Sequence, residues 1–191
     1  SFLMNILGPL LMYSQSFILP GILTPVSFNI YGGVYEWMSK SLLITGSLAF
    51  AVIPKISNLK AKGTFTLQKH SKLFIIFFII SFTSFAILFL FGSMINEFLY
   101  GPKFATSAAI YTRLFSVGIL LNSLSMYPST YLLSLEKFKL LSQLYSLELL
   151  IFIPLMIYMA SHFGIEGACI AFILRHALDF VLLMYQAKIH S

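Results

Sequence analysis

The sequence predicts an all-α integral membrane protein built as a bundle of six transmembrane helices, and three observations predict it. Of the 191 residues, 59% are hydrophobic and 9% are charged, where a soluble domain carries roughly 25% charged residues. The mean hydropathy is +0.91, more apolar surface than one globular core can take out of water, so a bilayer is the solvent that accommodates it. Apolar runs of transmembrane length also recur along the chain, separated by short turns or lysine-bearing stretches.

The first run extends from about Phe2 to Leu23 and ends at "TPVSFN". The second covers about Ile30 to Ile53, the third about Leu73 to Ile95, and the fourth about Ser107 to Leu133. The fifth spans about Leu141 to Ala160 and the sixth about Ile165 to Tyr185, joined by the short turn "HFGIEG". Each is close to the roughly 20 residues that cross a hydrocarbon core of about 30 Å. The third, "LFIIFFIISFTSFAILFLFG", has only Ser and Thr to offer as a polar stripe, which a soluble amphipathic helix needs. Pro9 and Pro20 interrupt the first run, Pro128 the fourth and Pro154 the fifth, each removing a backbone donor and inviting a bend.

The net charge of +6 is a topology signal rather than a nucleic-acid signature, because basic residues of membrane proteins gather in cytoplasmic loops. Lys55, Lys60, Lys62, Lys69 and Lys72 lie between the second and third runs, Lys137 and Lys139 between the fourth and fifth, and Lys188 in the tail. The opposite turns carry only Lys103. Both termini of the segment are therefore expected in the cytoplasm. Cys169 stands alone, which excludes an internal disulfide. The chain opens on Ser directly in an apolar run, without a basic leader, so a truncated start is expected rather than a signal peptide. No Walker-type loop, metal-site spacing or Ser–His–Asp pattern is present; the expectation is a protein that is not an enzyme and needs no cofactor or metal.

The informative residues are charges at membrane depth, where an ionisable group is a functional-site hypothesis by default. Glu36 and Lys40 are spaced i,i+4 in the favourable order. Arg113 has no acidic neighbour in its own helix. Glu148 and Arg175 fall at nearly the same depth on neighbouring antiparallel runs, with Asp179 one turn further. Two accounts of each group stand side by side. Glu36, Glu148, Arg175 and Asp179 read first as a structural charge cluster fixing the last two helices, and second as direct contacts to a substrate. Lys40 and Arg113 read as headgroup or ion-pair partners, or as cavity-facing cations that draw in an anion, Arg bidentately and Lys as a mobile point charge.

The residues resemble a family. "GPLLMYSQSFILPGIL", "YGGVYEWMSKSLLITGSLAFAVIPKIS", "LYGPKFATSAA", "RLFSVGILLNSLSMYPSTYLLSLEKFKLLSQLYSLELLIF" and "HFGIEGACIAFILRHALDFVLL" follow one another in an order and spacing similar to the C-terminal half of the O-antigen/polysaccharide flippases. These belong to the multidrug/oligosaccharidyl-lipid/polysaccharide exporter superfamily. The resemblance implies one lobe of a two-lobed, twelve-helix transporter of the bacterial inner membrane, whose partner lobe is an N-terminal six-helix bundle. Its implied substrate is an undecaprenyl-diphosphate-linked oligosaccharide, moved between leaflets in lipopolysaccharide biosynthesis by alternating access around a central cavity. By that resemblance Tyr35, Glu36 and Lys40 match the start of the family's eighth helix and Arg113 a basic residue of the tenth. Glu148, Arg175 and Asp179 match charges of the last two. Where many relatives carry Asp-Arg after the tyrosine matched by Tyr13, this chain has Gln15 and Ser16. The expected substrate contacts are Lys40 and Arg113 for the diphosphate, and Tyr35, Tyr13, Gln15 and Tyr127 for sugars, with Asn122 a weaker candidate that also suits a helix bridge. A cation-coupled small-molecule exporter of the same superfamily, and a structural or assembly membrane protein, remain the alternatives.

Overall fold

A computed structural model describes residues 2–62 and 71–190. The lysines at 69 and much of the loop between the second and third runs lie outside the described residues. Among the described residues the fold is all helix: α1 (Phe2–Ile18) with a 3₁₀ turn Leu19–Gly21, α2 (Pro25–Ser39), α3 (Leu42–Ala61), α4 (Ser71–Tyr100), α5 (Pro102–Ser134) and α6 (Phe138–Ile189).

Local chemistry explains the boundaries. Pro20 lies in the 3₁₀ turn that follows α1, and Thr24 caps α2 by accepting from the Ser27 amide, with Pro25 in the first turn. A single residue, Gly101 at φ 87°, turns α4 into α5, a backbone that favours glycine. Between α5 and α6 the Lys137 amide reaches the Leu132 carbonyl at 3.1 Å and the Glu136 amide the Leu133 carbonyl at 2.9 Å. That is a Schellman cap, with Glu136 at φ 57° in the left-handed position where glycine is usual.

The second apolar run is not one helix. α2 stops at Ser39 and α3 restarts at Leu42; across the break the amides of Lys40, Ser41, Leu43 and Ile44 each bond three residues back, the tighter 3₁₀ pattern. The side chains of Ser39 and Ser41 back-bond to the carbonyls of Glu36 and Met38, which satisfies groups that the break exposes.

α6 is two abutting helices that form a hairpin. Gly164 has φ 59° and ψ −138°, and a Cβ on Gly167 would collide with the Met159 carbonyl. A straight helix would separate those residues by about 12 Å. The fifth and sixth runs are thus two arms, 138–163 and 165–189, folded at one residue rather than across a loop.

The bundle is built inside-out relative to a soluble domain. Among the described residues four helical segments are long and apolar enough to cross a membrane: Pro25–Leu59, Lys72–Tyr100, Pro102–Ser134 and Phe138–Ile189. α4 is the most apolar of them, yet only 17% of its apolar window is buried. Phe98 is 88% exposed, and Phe17, Phe50 and Leu150 also face outward. So much exposed apolar surface marks a lipid-facing exterior. The protein is an all-α, multi-pass membrane protein.

Candidate functional site: a charged cavity between two apolar cores

Two cores lie along the bundle. One gathers Leu11, Leu19, Tyr31, Val34, Met38, Phe115 and Phe172 around the end that holds the 24, 101 and 164 turns. The other gathers Val52, Ile56, Phe77, Tyr131, Leu141 and Leu183 toward the 135–137 turn. Between them the sequence changes character on every helix that meets there. On α5 the change is Asn122, Ser125 and Ser129; on the first arm of α6 it is Tyr145 and Glu148; on the second arm it is Arg175, His176 and Asp179. These residues line a cavity of about 480 Å³, bordered on its other side by Leu11 and Met12 of α1, Tyr35 and Ser39 of α2, and Gly46 and Phe50 of α3.

The cavity's charged wall is tightly held but under-bonded. Arg175 Nε lies 3.9 Å from Glu148 Oε2, with the side chains 12% and 1% exposed. The guanidinium also sits 5.0 Å from the Phe152 ring centroid, a cation–π contact, and Nη1 donates to the Leu11 carbonyl of α1 at 3.3 Å. Asp179 is 9% exposed and lines the same cavity. Glu148 Oε1, Arg175 Nε, His176 Nδ1 and Asp179 Oδ1 have no hydrogen-bond partner although buried. Buried polar atoms are normally satisfied, so four orphans on one cavity wall mark a place that a ligand or water can complete. Asn122 Nδ2 and His176 Nε2 approach to 3.4 Å across the same wall. Tyr35, Phe115, Phe172 and His176, with ring centroids 4.5 to 5.9 Å apart, form an aromatic roof where the first core meets the cavity.

The sequence-derived candidates separate into different places. Arg175, Glu148 and Asp179 share the cavity, and Tyr35 lines it while donating to the Met12 carbonyl at 3.2 Å. Lys40 and Glu36 pair at 3.3 Å with 65% and 71% of their side chains exposed. They lie on a second recess of about 440 Å³ that also holds Tyr13 and meets the first at Met12, Tyr35, Ser39 and Leu43. Glu36 therefore lies away from the Glu148–Arg175 pair. Arg113 is exposed with its guanidinium 5.8 Å from the Phe89 ring centroid of α4 and lines neither recess. Gln15 is buried and accepts from the Tyr31 hydroxyl at 2.7 Å. Tyr127 is buried in the second core against Phe74 and Phe77. His176, Tyr145, Ser125 and Ser129 were not singled out from sequence as site residues. The signal for the two serines was present: Asn122, Ser125 and Ser129 recur at i, i+3 and i+7, the spacing of one helical face.

An all-helical bundle with an apolar exterior and a charged cavity between its helices defines the class: a multi-pass membrane protein. The chain is 25% identical over 181 residues to the "Putative O-antigen transporter" of Shigella flexneri, a match that takes in 95% of this chain and 43% of that protein. It links the two at the level of a transporter superfamily, and the chain spans less than half the length of that curated relative. No family model matches the chain, and no solved structure matches it significantly.

Proposed function

We propose that the chain is a six-crossing lobe of a transporter that moves an undecaprenyl-diphosphate-linked oligosaccharide across the bacterial inner membrane by alternating access. In this reading α1, the α2–α3 pair, α4, α5 and the two arms of α6 each cross once, and both ends face the cytoplasm. An N-terminal six-helix lobe supplies the other wall of the pathway. The protein carries no catalytic chemistry and needs no cofactor; its work is to bind the headgroup and to move it.

The observation that carries the reading is the cavity. A charge near the bilayer centre costs at least about 2.5–3.5 kcal/mol on insertion scales, yet an arginine and two carboxyl groups meet there beside four unpartnered polar atoms. A bundle that needed only to anchor itself would fill that space with leucine. Arg175 offers a planar fork of donors suited to a diphosphate oxygen pair, and Asn122, Ser125, Ser129 and Tyr145 offer hydrogen bonds to hydroxyl-rich sugars. The polyprenyl tail stays in lipid against the apolar exterior.

The test is complementation. The whole protein, expressed in cells that lack their own flippase for a lipid-linked oligosaccharide, is expected to restore surface glycan. Absence of surface glycan despite normal membrane levels of the protein overturns the proposal. The cavity also carries two carboxyl groups against one guanidinium, which favours a second reading, the export of lipophilic cations. Efflux of a fluorescent lipophilic cation by the same cells, without glycan at the surface, decides for that reading.

A further inference from the structure

α1 forms one wall of the cavity through Gly8, Leu11 and Met12. Its close backbone packing is on α6 and on its own 3₁₀ extension. Side chains add three further ties, two from α2 and one from α6 itself. Tyr31 of α2 donates to Gln15, Tyr35 of α2 donates to the Met12 carbonyl, and Arg175 of α6 donates to the Leu11 carbonyl. Two of these donors, Tyr35 and Arg175, are themselves cavity-wall residues.

Arg175 is the tie with the weakest hold. Its bond to the Leu11 carbonyl is long, at 3.3 Å, and that oxygen already accepts from Ser14 Oγ at 2.9 Å. Its Nε is unbonded, 3.9 Å from Glu148. A guanidinium has five donors in a fixed fork, and a phosphate offers it two short bonds to an anion in place of one long bond to a neutral carbonyl. Whatever anion takes Arg175 therefore removes a tie from α1. Pro9 has already taken an amide donor out of α1 next to that point.

We infer that Arg175 is a latch: through the Leu11 carbonyl it holds α1 against the cavity wall, and a phosphate group entering the cavity takes its guanidinium and loosens α1 at that point. The inference rests on the transport reading above and names how the anionic headgroup would be sensed. Differential bonding of Arg175 in the two states is what shifts the equilibrium, as any ligand-driven change requires.

The experiment follows α1 through Leu11, which is 1% exposed. The whole protein carries Leu11→Cys with the buried Cys169 changed to Ala, and it is reconstituted in phosphatidylcholine vesicles and challenged with a water-soluble maleimide. The latch predicts slow labelling that rises at least about fivefold with millimolar inorganic pyrophosphate or with geranylgeranyl diphosphate; a factor of 5 corresponds to about 1 kcal/mol. A response to both compounds assigns the phosphate chemistry itself, and a response to the lipid alone assigns a lipid-linked diphosphate. Arg175→Gln is predicted to label fast with neither compound adding to it, while Phe77→Cys, buried in the far core, stays unlabelled in the same variant. Labelling unaltered by both diphosphates overturns the latch, as does Arg175→Gln labelling at the rate of the parent. If Phe77→Cys also labels, the variant has unfolded and the diphosphate response of the Arg175 protein decides alone. A failed latch with normal glycan export leaves the transport proposal standing; a working latch without export sinks the transport proposal instead.

Discussion

At the residue scale, the distinction that matters is between a charge that is paid for by its surroundings and one that has simply found the surface. Glu36 and Lys40 are of the second kind. They are an exposed i,i+4 pair, a geometry worth about 0.3–0.5 kcal/mol. Arg175 and Glu148 are of the first kind, buried between two helical arms. Breaking a tight buried pair from one side costs about 3–5 kcal/mol because the other charge is stranded. At 3.9 Å the pair is loose, so Arg175→Ala is expected to cost about 2 kcal/mol in detergent, read as a lower thermal midpoint. Arg175→Met with Glu148→Leu is expected to recover part of it, since Glu148 is no longer stranded and only the Asp179 carboxyl is left on that wall. A double variant that is no better than Arg175→Ala would show that the two residues do not act as a pair. The sequence made this pair legible because a short turn and a fixed rise set two residues at one depth. Which basic residue faces the cavity was not legible from depth. Arg113 lies nine positions before Asn122, and at about 100° per residue that places it on the opposite side of α5. Tyr127, five positions after Asn122, is turned about 140° away by the same arithmetic.

At the scale of the element, the connections decide what the helices can do. The six apolar runs were readable because their length and hydropathy have no soluble equivalent. Their ends were less so. The second run contains no glycine or proline at its break, and the break at Lys40–Ser41 shows in sequence only as Ser39, Ser41 and Thr45, hydroxyls able to back-bond to the helix. The "HFGIEG" turn reads as a loop, whereas the structure needs Gly164 alone, because helical hydrogen bonding continues on both sides. The α5–α6 connection offers a direct check of the local physics. Glu136 holds φ 57°, a left-handed backbone that costs an L-residue about 1–2 kcal/mol. Glu136→Gly is expected to raise the thermal midpoint by the equivalent of about 1 kcal/mol once glycine's larger unfolded-state entropy is subtracted. An unchanged or lower midpoint would mean that the Glu136 side chain contributes more than its backbone costs.

At the scale of the whole molecule, the charges, the cavity and the two cores form one arrangement. Apolar packing above and below fixes the helices at both ends, and the polar middle is left unfilled. The fold class follows from composition and the recurrence of apolar runs; the cavity does not, because it depends on which faces of several helices converge. The central claim is that function resides in this mid-depth cavity around Arg175, and that the exposed cations Lys40 and Arg113 are bystanders to it. The most direct measurement is surface glycan in complemented cells for Arg175→Gln, Lys40→Gln and Arg113→Gln, each normalised to the amount of protein in the membrane. The account predicts at least about a tenfold loss for Arg175→Gln, the loss of one charge-assisted bond of 1.5–3 kcal/mol, and less than about a twofold change for the other two. Export that survives in Arg175→Gln and collapses in Lys40→Gln or Arg113→Gln would contradict it.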